Sequence, residues 1–410
     1  METKLAQGIR GTAQGDTAEG ILRSCVHCGF CNATCPTYQL LGDELDGPRG
    51  RIYQIKQVLE GTPATRSTQL HLDRCLTCRA CETTCPSGVD YGHLVDIGRA
   101  LVESQVTRPL HERVLHGLLR AVLSRQALFG AAWRLGRALQ FALPRSLGSK
   151  FSQRRAAGAW PRRVHARKVL LLNGCTQPAM APSIDAATAR VLDAIGVQAL
   201  VDTRSGCCGA IRHHLHDQRG ALDNARRNID AWWPQLQSGA VEAIVINASG
   251  CAVMVREYGW LLRDDPLYAV KARAISDATR DLVEFLGPQL PMLRRVVRAP
   301  AVQRVALQKP CTLQHGLGLK DNVDELLTGL GAQLLPVNEA HLCCGSAGTY
   351  SLLQPKLSLE LRERKLSHLL RGQPQVVLTA NIGCMSHLAG GTPVPVMHWI
   401  EWIDDIIVSI

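Results

Sequence analysis

The sequence predicts an α+β multidomain chain, with a helical, cysteine-rich domain first and two tandem α/β cysteine-rich repeats after it. Three observations predict this. The pattern C-x2-C-x2-C-x3-C-P occurs twice, in CVHCGFCNATCP (residues 25–36) and in CLTCRACETTCP (residues 75–86). From residue 169 the chain runs through the same succession of motifs twice. Within each copy, short β-rich apolar runs alternate with helical patterns, as βαβ units and a mainly parallel sheet require.

The first domain, placed at residues 1–110, is organised by thiols. Sixteen cysteines in 410 residues are about 4%, well below the roughly 8–10% of small disulfide scaffolds. The opening METKLAQGIRGTAQGD lacks the apolar h-region of a secretory signal. The expectation is a cytoplasmic protein, in which clustered cysteines hold metal or do redox chemistry. Structural zinc usually takes two separated pairs. Each run here has three cysteines at three-residue steps, then a fourth four residues on, followed by proline. That is the run of bacterial two-cluster ferredoxins. Three thiolates at this offset wrap one cubane, and the fourth, out of its reach, serves the other. Two 4Fe–4S clusters with crossed ligands are therefore expected: Cys25, Cys28, Cys31 and Cys85 for the first, Cys75, Cys78, Cys81 and Cys35 for the second. The proline removes a backbone donor and turns the chain away after the last ligand.

Between the runs, DELDGPRGRIYQIKQVLEG sets a polar turn before Ile52, Ile55, Val58 and Leu59 at helical spacing, which predicts a helix joining the two cluster loops. Arg49 and Arg51 at its start have two readings. They offset the charge of a cubane with four thiolates and so raise its potential, or they are solvated helix-start residues.

Residues 111–168 read as a helical and basic linker region. LHERVLHGLLRAVLSRQALFGAAWRLGRALQFALP mixes Leu, Val and Phe with Arg and His, and residues 145–168 hold eight Lys or Arg and no acidic residue. The net charge of +11 is therefore local. Amphipathic helices beside a basic stretch fit peripheral contact with an anionic membrane surface on the inner face of the cytoplasmic membrane, where each basic residue is worth about 1 kcal/mol; a solvated linker is the plainer reading. No apolar run approaches the roughly 20 residues that span a bilayer. Nucleic acid is excluded as a partner by 4% aromatic content and the lack of any recognised module.

The repeats are placed at residues 169–300 and 301–410. The first runs VLLLNGCTQ, PSIDAATARVLDAIG, LVDTRSGCCGA, ALDNARRNIDAWW, AIVINASGCAVM; the second runs RVALQKPCTLQH, DNVDELLTGLG, LLPVNEAHLCCGSAG, PKLSLELRERKLSHLL, VVLTANIGCMSH. Cysteines follow the strand-like runs. Ligands in open α/β sheets collect at the carboxyl ends of strands, so each copy brings a set to one edge: Cys175, Cys207, Cys208, Cys251, and Cys311, Cys343, Cys344, Cys384. Gly209 and Gly345 suit a backbone with positive φ. Buried cysteines also serve as small hydrophobes, but two matching sets of four point to a redox or cluster role.

These paired Cys-Cys-Gly (CCG) copies resemble the cysteine-rich domains of heterodisulfide reductases. Coupled to the ferredoxin-type domain, they resemble the iron-sulfur subunits of bacterial glycolate oxidases (glycolate dehydrogenases) over nearly the whole chain, through CVHCGFCNATCPTYQLLGDELDGPRGRIYQIKQVLEG, HLDRCLTCRACETTCPSGV, NIDAWWP, PCTLQH, HLCCGSAGTY and TANIGC. The eight ferredoxin-type cysteines carry the ligand role over completely. The CCG motif departs: the reductases end each copy in CxxC, whereas Cys251 is followed by Ala-Val-Met and Cys384 by Met-Ser-His. The resemblance implies an electron-transfer subunit without catalytic residues of its own, partnered by FAD-containing glycolate oxidase subunits. The flavin partner would oxidise glycolate, or D-lactate, to the 2-oxo acid. Electrons would pass to a quinone or another membrane acceptor. The residues agree, since no G-x-G-x-x-G opens a helix after a strand and no dinucleotide site is evident. Two other families share parts of the plan: the iron-sulfur subunit of anaerobic glycerol-3-phosphate dehydrogenase, and thiol or disulfide enzymes of the heterodisulfide reductase kind.

Overall fold

The computed structural model describes residues 1–140, 155–298 and 304–408; residues 145–154 of the basic stretch lie outside the described residues. The chain divides into two compact units, one made of residues 1–115 with 341–361 and the other of residues 116–340 with 362–410.

The first unit is helical over its N-terminal part. Gly47 and Pro48 end the polar turn, and proline at the first helical position suits the fixed φ of a helix start. The helix Pro48–Leu59 follows, and it buries Ile52, Ile55, Val58 and Leu59, the residues whose spacing predicts it. Its main partner is the helix Tyr91–Gln105. Gly98 permits the close approach, because a Cβ there would lie 2.5 Å from Cγ1 of Ile55. Leu22, Leu72, Leu94 and Val95 complete this core, and Cys25, Cys75 and Cys81 are part of it.

The second unit holds two four-stranded parallel sheets with the same order. β1 (Arg167–Leu171), β2 (Val197–Val201), β3 (Ala243–Ile246) and β4 (Thr279–Asp281) lie in the order β2-β1-β3-β4. β5 (Arg304–Gln308), β6 (Gln333–Leu335), β7 (Val376–Thr379) and β8 (Val396–His398) lie in the order β6-β5-β7-β8. Every strand pair is parallel. β3 and β7 are buried along their whole length, which is why they read as unbroken apolar runs. The expected parallel sheets are thus present, and each gains a fourth strand that the sequence reading lacks. β4 and β8 are three residues long, too short to show a period.

One core serves both sheets. Val169, Leu171, Ile184 and Leu192 of the first copy share it with Val305, Leu307, Leu378 and Trp399 of the second. The helix Pro182–Ala194 packs on the helix Trp399–Ile406, and Arg190 pairs with Asp404 at 2.6 Å. The other face of the first sheet has a separate core around Trp232 and Tyr258.

β4 and β8 end on equivalent, oppositely behaving residues. Asp281 and His398 are each the N-cap of the next helix, in a capping box with Glu284 and Glu401 respectively. Burial pushes the Asp281 carboxyl up to about 7 and the His398 imidazole down to about 3. The folded state therefore holds the Asp281 proton that the unfolded chain releases above about 4, so this residue loses stability as pH rises from about 4 to 7. It refuses the His398 proton that the unfolded chain takes below about 6.5, so that residue loses stability as pH falls through the same range. The two slopes, each about 1.4 kcal/mol per pH unit, cancel between about pH 4 and 6.5. Replacing Asp281 with Asn, itself a good N-cap, leaves the histidine slope alone. Between pH 4.5 and 6 the variant should gain about 2 kcal/mol on the parent, read from denaturation midpoints; a gap that does not change with pH would refute the pairing.

Candidate metal centres

The two cysteine runs fold alike. Cys25 follows the helix Ala13–Ser24 and Cys75 follows the helix Arg66–Asp73, as the backbone leaves each helix. Two residues in the left-handed region then wrap the loop, His27 and Gly29 in one copy, Thr77 and Arg79 in the other. A β-branched Thr77 at φ 53 is an outlier of the kind that clusters in constrained functional loops. Its N–H lies 3.4 Å from the Cys75 Sγ. Short helical segments, Phe30–Thr34 and Ala80–Thr84, carry the third cysteine of each run and pack on each other. Cys35 and Cys85 then stand in extended backbone, before the proline.

The thiols of the two runs come close to one another. Burial, with Cys25, Cys85 and Cys28 as negative neighbours, pushes the Cys31 thiol up to about 11. Burial, with Cys78, Cys75, Glu82 and Cys35, pushes the Cys81 thiol well up. Cys31 thus has the last cysteine of the other run near it, and so has Cys81. All eight are free thiols. Cys25, Cys28, Cys31 and Cys85, with Cys81 beside them, line a small cavity that the exposed Val26 and Phe30 also border.

The donor set fits a cluster better than a single ion. A tetrahedral zinc bound at about 2.3 Å brings its sulfurs to about 3.8 Å from one another. Among the described residues, the only three Cys, His or carboxylate groups whose ligand atoms all lie within 4.8 Å are Asp43, Asp46 and His71. No three sulfurs are that close. Asp46 itself is already engaged by Arg51, Arg74 and His71.

In the first CCG copy the expected four cysteines meet at one sheet edge. The sheet order reverses between β1 and β3, where a crevice opens. Cys175 follows β1, Cys207 and Cys208 follow β2, and Cys251 lies on the helix Ser249–Arg256 after β3. Cys207 sits at the centre: hydrogen bonds from the Cys175 and Cys208 thiols, with the N–H of Gly209 and the Asn224 amide, pull it down to about 3 against burial. Cys175 and Cys208, as donors to it, are pushed well up. Cys208 also bonds Cys251. The loop is pinned by Asn228 and Tyr258, which donate to the carbonyls of Cys207 and Cys208 at 3.1 and 2.8 Å.

In the second copy, Cys343 and Cys344 are buried and belong to the first compact unit; Cys311 and Cys384, after β5 and β7, belong to the second. Gly209 and Gly345 have φ of 96° and 87°, and each sends its N–H 3.5 Å to the first cysteine of its pair. The expected positive φ is present in both.

Comparison with known proteins follows the order of the cysteine motifs. A 4Fe-4S dicluster domain model matches residues 21–89, and a cysteine-rich domain model matches residues 169–256 and 305–389. The glycolate oxidase iron-sulfur subunit of Escherichia coli (strain K12) is 51% identical over 98% of this chain and 98% of its own length. The chain belongs to the family of glycolate oxidase iron-sulfur subunits. The probable glycolate oxidase iron-sulfur subunit of Bacillus subtilis (strain 168) is 29% identical over 91% of this chain and 89% of its own. Lactate utilization protein A of an Exiguobacterium species is 26% identical over 58% of this chain and 97% of its own.

Within this family member, the two arginines that the sequence left open part company. Arg49 is half-buried and bound to Glu44 at 2.6 Å. Arg51 is 1% exposed; it bonds Thr37, the Asp46 carboxylate and the His71 carbonyl, and its Nη1 lies 4.0 Å from the Cys35 Sγ. Sequence reasoning missed Arg99 and Tyr91. The Arg99 guanidinium bonds the carbonyls of Leu72 and Cys75 and the Thr77 hydroxyl. The Tyr91 hydroxyl points to the Cys75 Sγ at 3.6 Å. A signal was present: Arg99 stands on the apolar face of its helix with Val95 and Val102, where a solvated arginine has no place. Burial is the largest influence on the Cys75 thiol and pushes it up, yet Arg51, Arg99, the Thr77 N–H and Tyr91 together bring it below its ordinary value.

Proposed function

We propose that this chain is the electron-transfer subunit of a complex in which FAD-containing partner subunits oxidise glycolate, and D-lactate as a second substrate, and from which electrons leave to a quinone or another membrane acceptor. The full-length likeness to the Escherichia coli subunit carries the reading. Cys25, Cys28, Cys31 and Cys85 hold one 4Fe–4S cluster, and Cys35, Cys75, Cys78 and Cys81 hold the second. The CCG cysteines, the set at Cys207 foremost, are candidates for further iron-sulfur. A bound 4Fe–4S cluster supplies one-electron transfer at a potential set by its surroundings. The protein's own part is to hold the thiolates crossed, bury them and tune their charge. Hydride chemistry is left to the flavin of the partner.

Anaerobically purified chain should therefore turn over no glycolate with an artificial dye, while deleting it should abolish glycolate-dependent reduction of the physiological acceptor. The flavoprotein alone should still reduce its own flavin. Robust turnover by the isolated chain would mean that a catalyst has been read as a conduit.

No helix among the described residues is long and apolar enough to cross a membrane. The finer reading is peripheral contact. The helix Leu110–Leu123 exposes Leu110, Val114 and Leu118, four residues apart, and the helix Gln126–Ala138 exposes Leu128 and Leu135. Exposed Arg113, Arg125, Arg134 and Arg137 flank these stripes, as an interfacial helix on anionic lipid requires. Binding to phosphatidylglycerol vesicles should exceed binding to phosphatidylcholine vesicles and fall in a Leu118→Glu, Leu135→Glu variant. Equal binding of parent and variant would remove this reading.

A further inference from the structure

We infer that this chain holds its two ferredoxin-type centres at different potentials, with Arg51, Arg99 and Tyr91 making the centre at Cys35, Cys75, Cys78 and Cys81 the higher of the two. The inference rests on the ligand sets proposed above.

The two surroundings differ in charge. Around the Cys75 set, Arg51 and Arg74 share one carboxylate, Asp46, so one positive charge is left over. Arg99 adds a second, because its hydrogen bonds go to carbonyls and a hydroxyl, all neutral. Arg51 and Arg99 are 1% and 9% exposed, and arginine keeps its proton even there. Around the Cys25 set, Arg49 is matched one to one by Glu44, the part-buried Met1 ammonium donates to the Cys25 carbonyl at 2.7 Å, and Cys28 is open to solvent; one unmatched charge there stands against two at the Cys75 set.

The sulfurs differ as well. Cys75 receives the Thr77 N–H and the Tyr91 hydroxyl, and Cys35 faces Arg51. The sulfurs of Cys31 and Cys35 each also face an acceptor, the Asn32 side-chain oxygen at 4.0 Å and the Asp46 carbonyl at 3.7 Å, so the difference between the sets lies in Arg51, the Thr77 N–H and the Tyr91 hydroxyl. Cations and donors aimed at sulfur both favour the reduced, more negative state. Burial opposes them, since it penalises added charge. A unit charge at 4 Å in a medium of effective dielectric about 20 shifts an equilibrium by up to about a thousandfold. Spread over a cluster, a tenfold effect per arginine is a cautious expectation. The step so favoured moves one electron between the centres, oxidising the Cys25 side and reducing the Cys75 side, with no bond made and no further reactant.

The test is an EPR-monitored redox titration of the anaerobically purified full-length chain. Two potentials are expected, and the higher should be the signal missing from a Cys35→Ala variant. Arg99→Gln should lower the higher potential by about 59 mV or more, which is tenfold for one electron, and leave the lower one in place. Arg99→Lys, which keeps the charge but not the fork of hydrogen bonds, should stay near the parent. Tyr91→Phe, almost the same shape, should shift the same signal down by less, and decides the matter should Arg99→Gln lose iron. A single shared potential, or arginine and tyrosine variants that move the lower signal or neither, would overturn the inference. Loss of the lower-potential signal in Cys35→Ala, with the Arg99 and Tyr91 shifts still on the higher one, would instead show that the crossed ligand sets are wrong.

Discussion

Replacing Cys35 with Ala should destroy the centre whose other ligands lie forty residues further along the chain, and spare the one beside it in sequence. Cys81 has Cys35 among its negative neighbours, while Cys31 has Cys85; on the proposed ligand sets each run closes the other's. A cubane with three thiolates has an open iron corner. The iron content assigned to the eight ferredoxin-type cysteines should fall by about half if clusters are lost whole, given one cube per set. The surviving signal should be that of the Cys25 set, and Cys85→Ala should give the mirror result. Loss of the Cys25 signal in Cys35→Ala would refute the crossing; loss of both would show that the sets stand or fall together as one structural unit.

Trp399→Ala should cost about 3–5 kcal/mol, the range for removing a large buried aromatic. Trp399 is 1% exposed and sits in the core common to both sheets, at the start of a helix packed on Pro182–Ala194 of the other copy. The cavity would therefore weaken both repeats, and they should lose structure in one transition at a lower midpoint. Leu135→Ala, on an exposed stripe, should stay within about 0.5 kcal/mol of the parent. Two separate transitions in Trp399→Ala, or a loss below about 1 kcal/mol, would mean that the repeats do not share this core.

Much of this architecture can be read from residue order because its signals are local. A thiol every third residue, Pro48 after Gly47, and apolar runs such as AIVI each act over a few positions. The duplication made the sheet order of one copy a guide to the other. What escaped is not local. The place of Arg99 on an apolar helix face hints at burial, but its partners, Thr77 and the Leu72 carbonyl, come from elsewhere in the chain. Asp281 and His398 end three-residue strands that no periodicity can reveal, and their opposite protonation follows only from complete burial. The sequence places Cys343 and Cys344 with the second repeat by register, correctly in motif order, but no pattern in the chain tells which compact unit will bury them.

The inclusion of residues 341–361 in the first unit sets a timetable for biosynthesis. Leu342, Tyr350 and Leu357 are buried there, and the Tyr350 hydroxyl donates to the carbonyl of Arg74, next to the second cysteine run. A ribosome finishes residue 115 and then needs about 225 more residues before this segment begins to emerge, which at ~5–20 residues per second is roughly 11–45 s. During that interval the nascent chain carries all eight ferredoxin-type cysteines on a unit that lacks residues 341–361. A premature stop anywhere before residue 361 therefore truncates the N-terminal unit as surely as it cuts the C-terminal repeat.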